Sequence, residues 1–343
     1  MSRIGVDGNG MSAASTVSET PSRRRRGPSR RRFAAWAPLA VLIALGGIIS
    51  ALNPNFLTFG NLVRVSQAVM IPLVLGLGET FIVLMGSIDL SVEGVLTLAA
   101  VILSMLVLNG ANANDFGMLA IPAVLILGAG VGFFSGLVHV ALKVPSFMAT
   151  LGVWFMGVGA ANALLGGMAI RINDPWIRAL AIERFFGFPL GAWLALGCLG
   201  AALVIQNHTR LGRHIYALGG GEELAAFSGI AVTRVRIATF TLAGVFYAIG
   251  GVLAAAQLGL GNAQIGNGWL FTTITAVVVG GTSLSGGEGG VLQTLVGALI
   301  VVVLANGMVL LGVPSDVQIG VQGLLIIAAV GLSIDRKRAR LVK

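Results

Sequence analysis

Apolar residues run through this chain in long blocks, and those blocks set its architecture before any motif does. Ten stretches read as membrane spans, near 34–52, 63–85, 93–109, 117–142, 146–168, 188–206, 237–259, 269–281, 291–311 and 318–334. The longer ones hold about 20 apolar residues, enough for a hydrocarbon core of about 30 Å. The stretch near 269–281 is short for that task, and 93–109 is marginal. The pattern predicts an all-α integral membrane protein of about ten transmembrane helices.

One long polar stretch, residues 207–236, interrupts the series. Within it Gly219, Gly220 and Gly221 break what precedes them, and a short helix can begin with Glu222 and Glu223 in its first turn. Carboxylates there suit the positive end of the helix dipole. Leu224 and Phe227 stand three apart on one face, Ala225 lies between them, and Gly229 is a C-terminal stop signal. Two readings stay open on spacing alone, an ordinary loop and a small amphipathic helix offered to another protein.

Composition supports the membrane assignment. Charged residues make up 10% of the chain, against about 25% in soluble domains. The net charge of +9 sits in the tails: residues 1–33 hold eight arginines against Asp7 and Glu19, and 335–343 hold five basic residues against Asp335. Basic residues flanking spans mark the cytoplasmic side, so this charge reads as topology and not as a nucleic-acid surface. Both tails are then cytoplasmic, which requires an even number of spans. Ten spans also place Lys143 and the 207–236 loop inside, with residues 53–61, 109–116 and 169–187 outside. Arg171, Arg178 and Arg184 on the outer face run against the charge rule. The domain plan is therefore a disordered Arg-rich tail over 1–33, a transmembrane body over 34–335 containing the 207–236 loop, and a basic tail over 336–343. The first tail is too polar for a signal peptide, and the apolar run from Ala34 to Leu52 reads as a retained span.

Glycine accounts for 50 of 343 residues. In lipid, small residues let helix backbones approach closely, and Gly128, Gly132 and Gly136 form such a stripe on the fourth span. Two other glycine clusters break helices. One is Gly86-Ser-Ile-Asp-Leu-Ser-Val-Glu-Gly94, and the other runs from Gly280 through Thr282, Ser283, Leu284, Ser285 and Glu288 to Gly290. Both read as related hairpins in two halves of an internally repeated protein, positions that often mark a transporter's pathway or moving parts. Helix capping is an equal and compatible reading: Asp89 or Ser91 for the third span, and Ser285 with Glu288 as a capping box.

Enzyme chemistry finds no support. The three lysines, Lys143, Lys337 and Lys343, do not follow glycine, so no Gly-Lys-Ser/Thr phosphate loop exists. His139, His208 and His214 have no metal spacing, Cys198 is a lone cysteine, and no cofactor or metal site is expected. ATP hydrolysis would then lie in another subunit. Glu79 is the one acid deep in a span, with Asp89 and Glu93 near the inner boundary. Ionisable groups in lipid are functional by default, so an ion-coupled transporter of a small polar solute is the alternative reading. A neutral path of residues such as Thr80, Ser146, Thr150, Asn162, Thr272 and Thr273 suits an uncharged polyhydroxylated solute better.

Four segments in order, GLGETFIVLMGSIDLSVEGVLTLAA, VPSFMATLG, TRLGRHIYALGGGEELAAFSGIAVTRVRI and AVVVGGTSLSGGEGGVLQTLVGALI, resemble the permease subunits of bacterial ABC importers for ribose, xylose and similar sugars. The resemblance covers about residues 55–335. It implies a second permease copy or paralogue, two cytoplasmic ABC ATPase domains and a periplasmic or lipid-anchored sugar-binding protein, all at a bacterial inner membrane. It places the cytoplasmic coupling helix on Gly220 to Gly229, and in the mechanism expected here the binding protein docks on the outer face at the 169–187 and 261–268 loops. Candidate pathway or hairpin residues are Glu79, Thr80, Asp89, Ser91, Thr282, Ser283 and Ser285. Glu93 and Glu288 depart from the family pattern, the first replacing a small residue and the second an arginine.

Overall fold

The computed structural model describes residues 28–333, so the expectations for 1–27 and for 334–343 lie outside the described residues. The first helices are α1 (Pro28–Leu52), α2 (Phe59–Leu84), α3 (Val92–Leu106), α4 (Ala120–Ala141) and α5 (Ser146–Leu165). Next come α6 (Pro175–Ile182), α7 (Leu190–His208), α8 (Arg210–Gly220) and α9 (Glu222–Phe227). The chain continues with α10 (Val232–Leu258), α11 (Trp269–Val279), α12 (Val291–Leu310) and α13 (Ser315–Ser333). Among the described residues six helices are long and apolar enough to cross a membrane: α2, α4 with the turn before it, α5, α7, α10 and α12. Four shorter apolar helices, Trp36–Leu52, Val92–Leu106, Trp269–Val279 and Ser315–Ala328, fall where the other expected spans lie. The all-α membrane architecture stands, and a count of ten rests on those four. Two sequence boundaries move. Helix α1 begins at Pro28, inside the stretch read as tail, and α10 begins at Val232, inside the stretch read as loop.

Helix α2 is the axis of the bundle. Every residue from Met70 to Leu84 is buried, as expected of a helix that is apolar all round. It packs on α7, α10, α11 and α12. Its glycines are points of contact: a Cβ on Gly78 would lie 2.9 Å from the Tyr247 ring, and one on Gly76 would lie 2.7 Å from Thr294 Cγ2.

The Gly128, Gly132 and Gly136 stripe is a helix-packing surface. It seats α4 on α10, where a methyl group on Gly128 would come within 2.5 Å of the Gly244 carbonyl oxygen. A methyl group on Gly132 would collide with the Phe240 carbonyl oxygen. Helices α3 and α5 meet in the same way, through Gly94 and Gly157.

At the end of the bundle expected to face outward, two-residue strands join distant segments. Ile170–Arg171 pairs with Leu260–Gly261, and Asn109 bridges to Ile172. Asp174 caps α6, accepting from the Ile177 amide at 3.0 Å. Arg178 then donates to the Ala256 carbonyl at 2.8 Å, satisfying the C-terminal end of α10. One of the three arginines that strain the charge rule is thus committed to a helix end.

Residues 261–268 differ from the outer loop that the sequence suggests. Gly261 sits against Ser104, Ala263 clusters with Val101, Gly266 sits against Thr97, and Gly268 reaches Glu93. The segment therefore runs down the side of α3 for about eleven residues of helix, or roughly 16 Å. Helix α11 supplies 11 more residues, again about 16 Å. Together they match one crossing of a hydrocarbon core of about 30 Å, half of it without helix. This is why the span near 269–281 looks too short in the sequence.

The α4–α10 contact gives a direct test. Gly132→Ala must push the two backbones apart, and we expect a loss of about 1–3 kcal/mol. Gly130→Ala, with nothing within 4 Å of its added carbon, should stay within about 1 kcal/mol of the unsubstituted protein. Thermal unfolding of the purified protein in detergent reads both.

Candidate coupling face and translocation site

The 207–236 stretch is built from helices, not loop. Thr209 opens α8, its hydroxyl oxygen accepting from the Gly212 amide at 3.1 Å. Gly212, Ile215 and Leu218 are buried at helical spacing, so α8 has one face pressed on the bundle. Gly221 then separates α8 from α9. In α9, Ala225 is buried while Leu224 is 72% exposed and Phe227 90% exposed. The Ile230 amide donates to the Ala225 carbonyl and the Gly229 amide to the Ala226 carbonyl, with Gly229 at φ +79°. That is a Schellman stop on glycine, as the spacing predicts. Glu222 pairs with Arg236 of α10, which ties the start of α9 to the bundle; Glu223 is exposed beside it. The result is a short helix tied to α10 at its start and stopped on glycine, with two apolar side chains turned outward.

The end of α8 is wedged between the two glycine hairpins. A Cβ at Gly219 would overlap both the Leu84 carbonyl and the Gly287 amide, two groups that bond each other at 2.9 Å. Tyr216 donates its hydroxyl to the Gly289 carbonyl at 2.7 Å. Burial pushes that hydroxyl above its ordinary pKa, so it stays a donor. Gln206 at the end of α7 accepts from the Val291 amide at 2.8 Å and so caps α12.

The hairpins share one exit geometry. After α2, the Gly86 amide bonds Val83 O and the Ser87 amide bonds Ile82 O. After α11, the Gly281 amide bonds Val278 O and the Thr282 amide bonds Val277 O. Both glycines sit at positive φ, +80° and +103°. The first hairpin then lies along α5: Ser146 Oγ accepts from the Ile88 amide at 3.1 Å and Thr150 Oγ1 from the Leu90 amide at 2.9 Å. Asp89 accepts from both the amide and the hydroxyl of Ser91. In the second hairpin Thr282 Oγ1 accepts from the Gly290 amide at 3.3 Å, and the Ser283 and Ser285 hydroxyls bond each other at 2.9 Å. The capping box expected of Ser285 and Glu288 does not form, because α12 starts later, with Gly290 as its N-cap.

Two of the acids serve the fold directly. Glu93 Oε1 accepts from the Gly268 amide at 2.9 Å and the Leu270 amide at 3.1 Å, capping α11 from the first turn of α3. Glu79 is fully buried and accepts from the Tyr247 hydroxyl at 2.8 Å, with Asp89 close to both. Its other carboxyl oxygen has no partner among the described residues. The hydroxyls suggested as a neutral path are not brought together. Thr80 bonds Gly76 O and Thr294, Ser146 and Thr150 hold the first hairpin, and Asn162 and Thr272 bond back to their own helices. Among the described residues no group of three or more His, Cys, Asp or Glu could hold a metal.

Sequence reasoning passed over Gln206, Tyr216 and Tyr247, whose partners lie 73 to 168 residues away.

A family model described as "Branched-chain amino acid transport system / permease component" matches residues 61–330. The chain belongs to this family of permeases. Among its relatives is the ribose import permease protein RbsC of Escherichia coli (strain K12), 35% identical over 304 residues, or 88% of this chain and 93% of the relative. RbsC of Bacillus subtilis (strain 168) is also 35% identical, covering 88% of this chain and 92% of its own length. The L-arabinose transport system permease protein AraH of Escherichia coli (strain K12) is 32% identical over 287 residues, 84% and 86% of the two chains. No solved structure matches. The permease therefore shares nearly its whole membrane body with sugar import components.

Glu93 gives the test of this geometry. Glu93→Ala strands two amides at the start of α11 and should cost about 1–3 kcal/mol. Glu93→Gln keeps an acceptor oxygen and should recover most of that, read by thermal unfolding of the purified permease.

Proposed function

We propose that the permease is the membrane subunit of an ATP-driven importer that passes a monosaccharide, of the pentose class, into a bacterial cell. The observation that carries this is α9, held by Arg236 and a glycine stop while Leu224 and Phe227 stand exposed. Relatives named for ribose and arabinose support a sugar over the amino acids in the family's description. The 343 residues contain no phosphate loop, which supports ATP hydrolysis in two separate cytoplasmic ATPase domains. A second permease copy or paralogue completes the membrane part, and an extracytoplasmic binding protein delivers the sugar to the face built from 107–119 and 170–189. Both termini and the 207–236 segment are cytoplasmic on this reading.

In this mechanism ATP closes the ATPase pair around α9, through Gly221, Glu222, Glu223, Leu224, Ala225, Phe227 and Gly229. The push enters α8, and α8 touches both hairpins at Gly219, with Tyr216 bonded to the second. Asp89, Ser91, Thr282, Ser283 and Ser285 then act as hairpin-shaping residues, while Thr80 and Glu79 fix α2 between α12 and α10.

The test is reconstitution with the ATPase and binding protein. Leu224→Asp and Phe227→Asp should each cut ATP-driven sugar uptake by about tenfold or more, as expected for buried interface anchors. The permease should remain in the membrane in normal amount. Uptake at the normal rate overturns the coupling assignment. Uptake driven by a proton gradient in vesicles without ATPase would instead favour an ion-coupled transporter built on Glu79 and Asp89.

A further inference from the structure

Residues 260–268 cross the outer half of the bundle without forming a helix. Irregular backbone at membrane depth persists only where protein buries it or where it borders a water-filled cavity. One side of this segment is buried: Ala263 against Val101, Gly266 against Thr97 and Glu93. Its other side carries three carboxamides. Asn262 is half-buried, and Gln264 and Asn267 are exposed. Asn262 Oδ1 accepts from the Gln264 amide at 3.2 Å, which shapes the turn. The Gln264 and Asn267 side chains have no hydrogen-bond partner among the described residues.

Three carboxamides within six residues do not suit hydrocarbon, where each would lose its hydrogen bonds to water with no replacement. They do suit a hydroxylated solute. Each offers one acceptor oxygen and two donor hydrogens, the complement of sugar hydroxyls, which both give and accept. The three side chains are uncharged, so they can bind and release a neutral solute without stripping an ion of water. Discontinuous crossings of this kind are where transporters place substrate groups.

We propose that Asn262, Gln264 and Asn267 line the solute path and hydrogen-bond the hydroxyls of a sugar as it passes. This rests on the importer reading and adds to it the side chains that read the solute. It also separates roles. The hairpins and α8 form the moving joint at the inner side, while the descending segment forms the wall the solute meets.

The experiment uses the full permease with its ATPase and binding protein in lipid vesicles, in a Cys198→Ala background. Gln264→Cys and Asn267→Cys are treated with a positively charged methanethiosulfonate, without nucleotide or solute. Both should react about tenfold or more faster than Ile126→Cys, a position on the exposed apolar face of α4. In parallel, Gln264→Met and Asn267→Leu keep side-chain size and remove the hydrogen bonds. ATP-driven uptake of D-ribose should fall about fivefold or more in each, while binding-protein-stimulated ATP hydrolysis stays within about twofold. Thiols no more reactive than at 126 mean that lipid or a second copy covers this face, and the proposal falls. Normal uptake in both leucine and methionine variants overturns it as well. Failure of the unsubstituted complex to move any sugar sinks the importer reading instead, and the labelling result is independent of it.

Discussion

A peptide group that leaves a helix inside a membrane has no water to bond, so the protein must supply its partners. Three breaks in this bundle meet that demand in the same way, by borrowing a side chain from a distant helix. The first hairpin borrows Ser146 and Thr150 from α5. The second uses Thr282 and, from α7, Gln206. The descending segment and α11 use Glu93 from α3. Each loan also fixes position, because the lender is a packed helix. The breaks are therefore held at definite places and not left loose.

Close approach is the second half of the design. Hydrocarbon gives apolar side chains little reason to leave it for each other, so contact between backbones and the hydrogen bonds it permits carry more of the packing. Gly128, Gly132 and Gly136 serve α4 and α10 in that way. Gly219 brings the same device to the end of α8, which lies on the Leu84 carbonyl and the Gly287 amide at once. No residue with a side chain fits there without moving one hairpin or the other. A displacement of α8 toward the bundle thus meets both hairpins at once.

Much of the architecture was legible because it is local. Apolar blocks gave the spans, every-fourth-residue glycines gave the α4 face, and Gly229 gave the stop of α9. The likeness of the two hairpins was visible in their shared Leu-Ser and Glu-Gly, and the structure adds the same Schellman exit at Gly86 and Gly281. What stayed hidden is non-local. Glu93 looked like a stray charge at a hairpin, since its partners are Gly268 and Leu270. Ser285 and Glu288 had capping-box spacing, yet the glycines at 289 and 290 delay α12 and hand its cap to Gln206. Residues 261–268 read as an outer loop because turn-forming Gly, Asn and Gln look the same whether water or a helix flank faces them.

Glu93 also joins the first glycine hairpin to the segment that leads into α11. From Gly287 the chain runs back through Thr282 to α11, and α11 is only three turns long. Its start is bonded to Glu93, and Glu93 sits two residues beyond Ser91, where the first hairpin ends. The second hairpin, α11 and the descending segment are thus one short mechanical unit, tied at both ends to the first hairpin. A helix of three turns is stiff over its length of about 16 Å, so a shift at its C-terminal end is carried to residues 262–267 with little lost to bending. Glu93 accordingly falls on a joint, where one carboxyl oxygen accepts from the Gly268 and Leu270 amides together.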